Sequence, residues 1–432
     1  MTVSGSVLRA ADRRVVHGFF WWLALIVAGG LVLRVGYVWH EQSRLVGGDG
    51  FAYHQQASAL VDGKGFINPL NGQRSALHPP LWALLLALVA LLHGTSWLDQ
   101  QLFACAIGAL TVGLVGVAGR RVAGDRAGLI AAGLAAIYAG LWVYERALLS
   151  EVLLLALIAA TIALAYAFRD RPTTIKVVAL AVLGTLMALT RSEQALVVPM
   201  LLVPLIVGAR SPETGMRIAG RQRVIWGALG MILIIVLLMP WTLYTNSWLG
   251  RPVVLSDGFD NASRAANCDQ AYWGRNTGSY DNSCNVGPDG ATRARDYALD
   301  HIGRVPIVIL AREGRVWGFW APLQQVQHDS GWQRTTPAVN RLGLFEYWAL
   351  VPLAALGVVV LRRRRVAVYP LLVFVLVAAL AAAVTFGETR YRATAEVPIV
   401  VLAAVALDAL IGRLTRHRTV IRRAPDAPLP AP

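Results

Sequence analysis

Apolar residues occur along this chain in long unbroken runs separated by short polar stretches, and about 20 such residues cross a hydrocarbon core as a helix. Ten runs of this kind are read at 18–38, 100–118, 127–143, 150–168, 176–190, 194–208, 224–244, 343–361, 366–385 and 394–412. Another apolar stretch, Leu81 to Leu92, is preceded by Pro79-Pro80 and followed by His93-Gly94. At about a dozen residues it is too short to cross and is expected to lie at the membrane interface. The pattern predicts an all-α polytopic membrane protein, because backbone polar groups in lipid must be satisfied within each helix or a closed barrel.

Charge supplies the orientation. Only 15% of the 432 residues are charged, yet the net charge is +15. The basic residues cluster in alternate breaks: Arg9/Arg13/Arg14, Arg120/Arg121/Arg126, Arg169/Arg171/Lys176, Arg210/Arg217/Arg221/Arg223, Arg362 to Arg365, and Arg413/Arg416/Arg418/Arg422/Arg423. Under the positive-inside rule these breaks face the cytoplasm. Basicity is therefore a topology signal, and nucleic acid is not an expected partner. Counting Leu81 to Leu92 as a crossing would put Arg120 and Arg121 outside.

Two long segments then face outward. The expected organisation is a transmembrane module over 1–244, whose first outer loop is 39–99, an outer module over 245–342, further spans over 343–412, and a basic inner tail over 413–432. The end of that tail, Ala424 to Pro432, reads as disordered. An outside position makes a Cys268–Cys284 disulfide the expectation, contributing about 3 kcal/mol for a loop of that order. Cys105 lies within an apolar run.

The first outer loop reads Gly47-Gly48-Asp49-Gly50-Phe51-Ala52-Tyr53-His54, then Asp62-Gly63-Lys64-Gly65, then His78-Pro79-Pro80-Leu81-Trp82. It delivers a carboxylate to the membrane surface just before a short helix. The structural alternative is that Asp49 only caps that helix or occupies a turn. Polar stretches at other outer ends read Glu145-Arg146-Ala147 to Ser150-Glu151, Leu189-Thr190-Arg191-Ser192-Glu193, Asn246 to Ser256, and Glu388-Thr389-Arg390-Tyr391-Arg392.

In their order and common side, these stretches resemble the GT-C glycosyltransferases, specifically the branch of protein O-mannosyltransferases and lipid A aminoarabinose transferases. The resemblance covers most of residues 18–412. Within the second outer segment, Ala266-Asn267-Cys268, Tyr272-Trp273-Gly274 and Gly278 to Cys284 resemble uncharacterised actinobacterial relatives. That part departs from the better-known members and bears on compartment more than on substrate. The resemblance implies a GT-C bundle of about ten helices and inverting transfer of a mannose- or arabinose-like sugar. The implied donor is a polyprenyl-phosphate sugar, and the acceptor an extracytoplasmic lipid, glycan or protein.

In such a reaction Asp49 is the expected general base, taking the acceptor hydroxyl's proton as the bond to the anomeric carbon forms. A leaving phosphate needs cations, and Arg191, Arg390 and Arg392 fall where a lipid-borne phosphate would lie, with Arg74 a lesser member of the set. Each arginine has an alternative role, snorkelling to the interface or pairing with Glu193 or Glu388. Tyr53, His54, His78, Glu145, Glu151, Glu193 and Tyr391 are expected around the substrate pocket. The glutamates have the alternative of merely neutralising Arg146 and Arg191, and His78 that of starting the interfacial helix. No close-spaced zinc motif is present, and no metal or other cofactor is expected. The rival readings are a lipid-linked sugar transporter or flippase, and a non-catalytic cell-envelope assembly subunit.

Overall fold

The computed structural model describes residues 4–69, 71–250, 253–284 and 290–421. Arg422, Arg423 and the segment Ala424 to Pro432 lie outside the described residues. Each of the ten apolar runs is helical. Helix α1 (Ser4–His40) is followed by α2 (Gly48–Val61) and α3 (Leu81–His93) in the first long loop, then by α4 (Trp97–Ala123), α5 (Asp125–Ile137), α6 (Ala139–Arg146), α7 (Glu151–Asp170) and α8 (Thr174–Ala188). A broken helical stretch ending in α9 (Val203–Val207) leads to α10 (Gly220–Leu249). The second long segment carries α11 (Gly258–Ala266), α12 (Asp269–Tyr272), α13 (Gly290–Asp300), α14 (Val305–Val316) and α15 (Pro322–Gln333). Helices α16 (Pro337–Arg363), α17 (Tyr369–Val384) and α18 (Ala393–Ile421) complete the chain.

Among the described residues six helices are long and apolar enough to cross a membrane, and α5 with α6, bent by 44° at Tyr138, make a seventh when taken as one span. The other three runs are shorter apolar stretches, Thr174–Ala188, Ser192–Val207 and Tyr369–Val384. In the second of these, Pro199 and Pro204 each remove a backbone donor, and the helix passes through 3-10 and π turns. The protein is thus an integral membrane protein. Helix α3 buries Trp82, Ala83 and Leu86 while exposing Leu84, Leu88, Leu91 and Leu92. A helix apolar on both sides is suited to protein on one face and lipid on the other.

Small residues let the spans approach closely, as they do where lipid removes the hydrophobic drive between helices. A methyl on Gly128 of α5 would stand 2.6 Å from the Gly116 carbonyl of α4, and one on Gly357 of α16 would run into the Leu402 carbonyl of α18. Three of the basic turns, those of Arg126, Arg169 and Arg364, lie at one end of the bundle. There Arg126 and Arg364 meet Asp408 at 2.5 and 3.7 Å, and Arg169 lies over Tyr369.

The two long segments meet each other at the other end. The Asp257 amide donates to the Ala76 carbonyl at 3.0 Å. The fully buried Arg146 donates to the Arg334 carbonyl at 2.8 Å and to the Arg44 and Leu45 carbonyls, tying both segments to α6. Cys268 and Cys284 are disulfide-bonded, with their Cα atoms 6.2 Å apart.

Candidate functional site

The loop ahead of α2 is shaped to place Asp49. Gly48 adopts φ +53°, a left-handed conformation that favours glycine. A side chain on Gly50 would collide with the Ala147 carbonyl, so α2 begins in direct contact with the turn between α6 and α7. Asp49 lies in the first turn of α2, where the helix dipole favours a carboxylate. It is not the cap: Gly47 occupies that position, with no side-chain cap hydrogen bond.

The Asp49 carboxylate faces arginines from two distant parts of the chain. Its Oδ2 accepts a hydrogen bond from an Arg390 terminal nitrogen. Arg390 Nε donates to Glu151 Oε1 at 2.9 Å, and the same Glu151 oxygen accepts from Arg191. Arg191 Nε in turn reaches Glu193 Oε1 at 2.5 Å, and its guanidinium lies 5.3 Å from the Tyr391 ring centre. One continuous ionic chain therefore runs from α2 through the turn before α18 and the start of α7 to the turn after α8. Glu151 is fully buried at its centre, and its second oxygen has no partner among the described residues.

On the far side of Asp49, His78 Nε2 stands 3.8 Å from Oδ1, beyond hydrogen-bond length, and its ring packs against Tyr53 with centres 4.8 Å apart. Burial lowers the His78 pKa despite the nearby Asp49, which favours the neutral imidazole. Burial alone would raise the Asp49 carboxyl, but Arg390, with Arg191 behind it, more than reverses this and holds it at about 2. About a fifth of the Asp49 side chain remains exposed.

The other sequence candidates are dispersed. His54 bonds Gln100 at 2.8 Å and stacks on Trp97, away from Asp49. Glu145 pairs with Arg34 of α1 at 2.8 Å, not with Arg146. Arg392 is buried against Glu396 at 2.6 Å, with the Tyr347 ring centre 3.8 Å away, and Glu396 also accepts from Tyr138 at 2.7 Å. Arg74 is exposed and lines a separate polar hollow with Asp257, Asp260 and Arg264. Among the described residues no group of three or more His, Cys, Asp or Glu is arranged to hold a metal ion.

A narrow cleft opens beside the ionic chain. Val143, Leu149, Val326, Val339 and Leu344 give it apolar walls, and Glu388, Arg390, Arg392 and Asp329 make it polar. Burial, partly offset by Arg390, pushes the Glu388 carboxyl up to about 8. The sequence marks Glu388 of this cleft only as a candidate partner for an arginine, and does not mark Asp329 or Gln333. Glu388 belongs to a motif noticed there, whereas nothing in the local sequence marks the other two. An anion with an apolar tail suits this combination of apolar walls and guanidinium groups.

Residues 77–244 match the family described as dolichyl-phosphate-mannose-protein mannosyltransferase. No curated protein sequence matches the chain significantly. The fold is similar to that of the archaeal oligosaccharyltransferase AglB from Archaeoglobus fulgidus, solved with an inhibitory peptide and a dolichol-phosphate. That similarity has a TM-score of 0.57 at 14% identity, covering 96% of this chain and 52% of that one. The apo form of the Archaeoglobus fulgidus oligosaccharyltransferase matches with a TM-score of 0.55 at 13% identity, covering 96% and 53%. The chain thus spans about half the length of these archaeal proteins. ArnT from Cupriavidus metallidurans, bound to undecaprenyl phosphate, matches with a TM-score of 0.47 at 16% identity, covering 94% and 82%.

Proposed function

We propose that this chain is a GT-C-type glycosyltransferase that moves a sugar from a polyprenyl-phosphate donor to a hydroxyl on a lipid, glycan or protein, with inversion and on the extracytoplasmic face of a bacterial plasma membrane; the family match over residues 77–244 and the fold similarity to AglB support this reading. The observation that carries this reading is the Asp49–Arg390 contact, beside an apolar cleft and within a chain that includes Arg191. AglB was solved with a dolichol-phosphate, a lipid phosphate of the kind this arrangement would accommodate.

The chemistry follows from competition for Arg390. A donor phosphate entering the cleft offers the guanidinium a stronger, two-pronged partner than one carboxylate oxygen. As Arg390 turns to the phosphate, Asp49 loses its main counter-ion and its basicity rises. The acceptor O–H then gives its proton to Asp49 as its oxygen bonds to the anomeric carbon. The bond from that carbon to the phosphate oxygen breaks on the opposite side, and the lipid phosphate leaves as an anion stabilised by Arg390 and Arg191. Leaving as an anion, it needs no proton donor of the kind that glycoside hydrolysis uses.

The test is transfer itself. Purified protein in lipid nanodiscs, given radiolabelled polyprenyl-phosphate mannose or arabinose and a panel of hydroxyl acceptors, is expected to move label onto an acceptor. Label that instead stays on its lipid and crosses the bilayer of proteoliposomes would establish a transporter.

Glu388 gives the reaction a pH signature. Its raised pKa, about 8, keeps the carboxyl largely neutral near pH 7, and as pH rises through that region ionisation adds a negative charge beside the phosphate position. Donor affinity is therefore expected to change little between about pH 6 and 7 and to weaken by about tenfold at pH 9, one unit above the pKa, as linkage requires when the donor favours the neutral carboxyl. In Glu388→Gln the profile should stay flat, as read by titrating lipid donor against intrinsic fluorescence. An unchanged alkaline fall in that variant would move the titration to another group.

A further inference from the structure

The outer module presents a polar stripe to the cleft. Gln325, Asp329 and Gln333 follow one another at i, i+4 and i+8 on α15 and so share one face of that helix, and all three line the cleft. The first two are engaged: Arg315 donates to Gln325 Oε1 at 3.0 Å, and Gln325 Nε2 donates to Asp329 Oδ1 at 2.7 Å. Gln333 differs. Its side chain is 4% exposed, yet neither Oε1 nor Nε2 has a hydrogen-bond partner among the described residues.

A buried amide with both ends unmet is rare in a folded protein and calls for an explanation. An amide carries both a donor and an acceptor, as does a sugar hydroxyl, so one residue can satisfy both sides of a hydroxyl or bridge two neighbouring ones. Its position limits which hydroxyl it can meet. A Cβ placed on Gly48 would stand 2.6 Å from Gln333 Oε1, so the amide abuts the residue immediately before Asp49. It also lines the cleft that Arg390 lines. With a phosphate at Arg390 and the attacked carbon near Asp49, the group bonded to that phosphate, the sugar, falls beside Gln333.

We propose that Gln333, supported by the Gln325–Asp329 pair on the same face of α15, binds hydroxyls of the donor's sugar and sets which sugar is accepted. This rests on the transferase reading and extends it to the outer module, which would supply the sugar-recognising wall of the site. A site that hydrogen-bonds a hydroxyl rejects a ligand lacking it far more strongly than an apolar pocket rejects a missing methylene. Selectivity among donor sugars should therefore depend on this amide.

The experiment compares the full-length wild type with Gln333→Met, an apolar side chain of similar length. The ligands are bare polyprenyl phosphate and polyprenyl phosphates carrying mannose, glucose or arabinose, with binding measured in nanodiscs. The wild type is expected to bind at least one glycosylated lipid about tenfold or more tightly than the bare phosphate, the size of one net hydrogen bond. Gln333→Met should bring the two together through loss of affinity for the glycosylated form, with bare phosphate affinity within about twofold and thermal stability equal or higher. The same preference in both proteins, or no preference in the wild type, overturns the role of Gln333. So does unfolding of the variant, since it would reveal internal hydrogen bonds made by the amide. Wild-type turnover decides the transferase reading separately: transfer with unaltered sugar preference in the variant refutes only the proposal for α15.

Discussion

Asp49→Asn is expected to lower turnover by about 10³-fold, within the range ascribed to a positioned general base, while the protein still folds and binds donor lipid. The amide keeps the shape of the carboxylate but cannot accept the acceptor's proton. It also leaves Arg390 with Glu151 as its remaining bonded carboxylate. Removing an anion that competes with phosphate should hold or improve donor affinity, so the loss should appear in kcat and not in KM. Arg390→Ala and Arg191→Ala should do the reverse, weakening donor binding more than they alter acceptor dependence. Single-turnover kinetics with separately measured donor binding distinguishes the two patterns. Full activity in Asp49→Asn would remove the base from the mechanism, and a loss confined to donor binding would make Asp49 an organiser of Arg390.

The second large effect is on stability and comes from the contact of α1 with the α5–α6 bend. Arg34 is 1% exposed and donates to Glu145 at 2.8 Å. It also donates to the carbonyls of Ala135 and Ala136 at 3.0 Å each. Those carbonyls end α5, whose hydrogen-bond ladder stops at the Tyr138 bend, so Arg34 satisfies groups that the break leaves open. Arg34→Leu deprives both Glu145 and the carbonyls of their partner and should cost about 3–5 kcal/mol, the usual consequence of removing half a buried ion pair. Adding Glu145→Leu should recover part of this loss, leaving about 1–3 kcal/mol for the unmet carbonyls. Melting temperature and the yield of monodisperse protein check both variants. A neutral Arg34→Leu would show that the bend is held by other contacts.

The helices were legible in the sequence because each crossing requires a long apolar run, and composition alone reveals it. Their breaks were less so. The bend at Tyr138 interrupts a run with no proline or charge at that point, and it is held from outside by Glu396 and by the Arg34 cap. Asp49, Arg191 and Arg390 were all nominated from sequence, and they meet in one ionic chain together with Glu151 and Glu193. Which arginine faces which acid was not legible, since residues 341 positions apart are joined only by the packing of α2 against the turn before α18. Arg392 shows the limit of adjacency: two residues from Arg390 in the turn before α18, it pairs with Glu396 in the first turn of α18. Gln333 carried no signal at all, because an amide on a polar helix looks like any solvated side chain until its burial is known.

The central claim is that a lipid phosphate displaces Asp49 from Arg390 and thereby creates the base. It is tested most directly by a cryo-electron microscopy structure of the protein with polyprenyl phosphate bound. Phosphate oxygens are expected within hydrogen-bond reach of Arg390 and Arg191, with the Asp49 carboxylate released and open to the cleft. A phosphate seated elsewhere, with the Asp49–Arg390 contact intact, would contradict it.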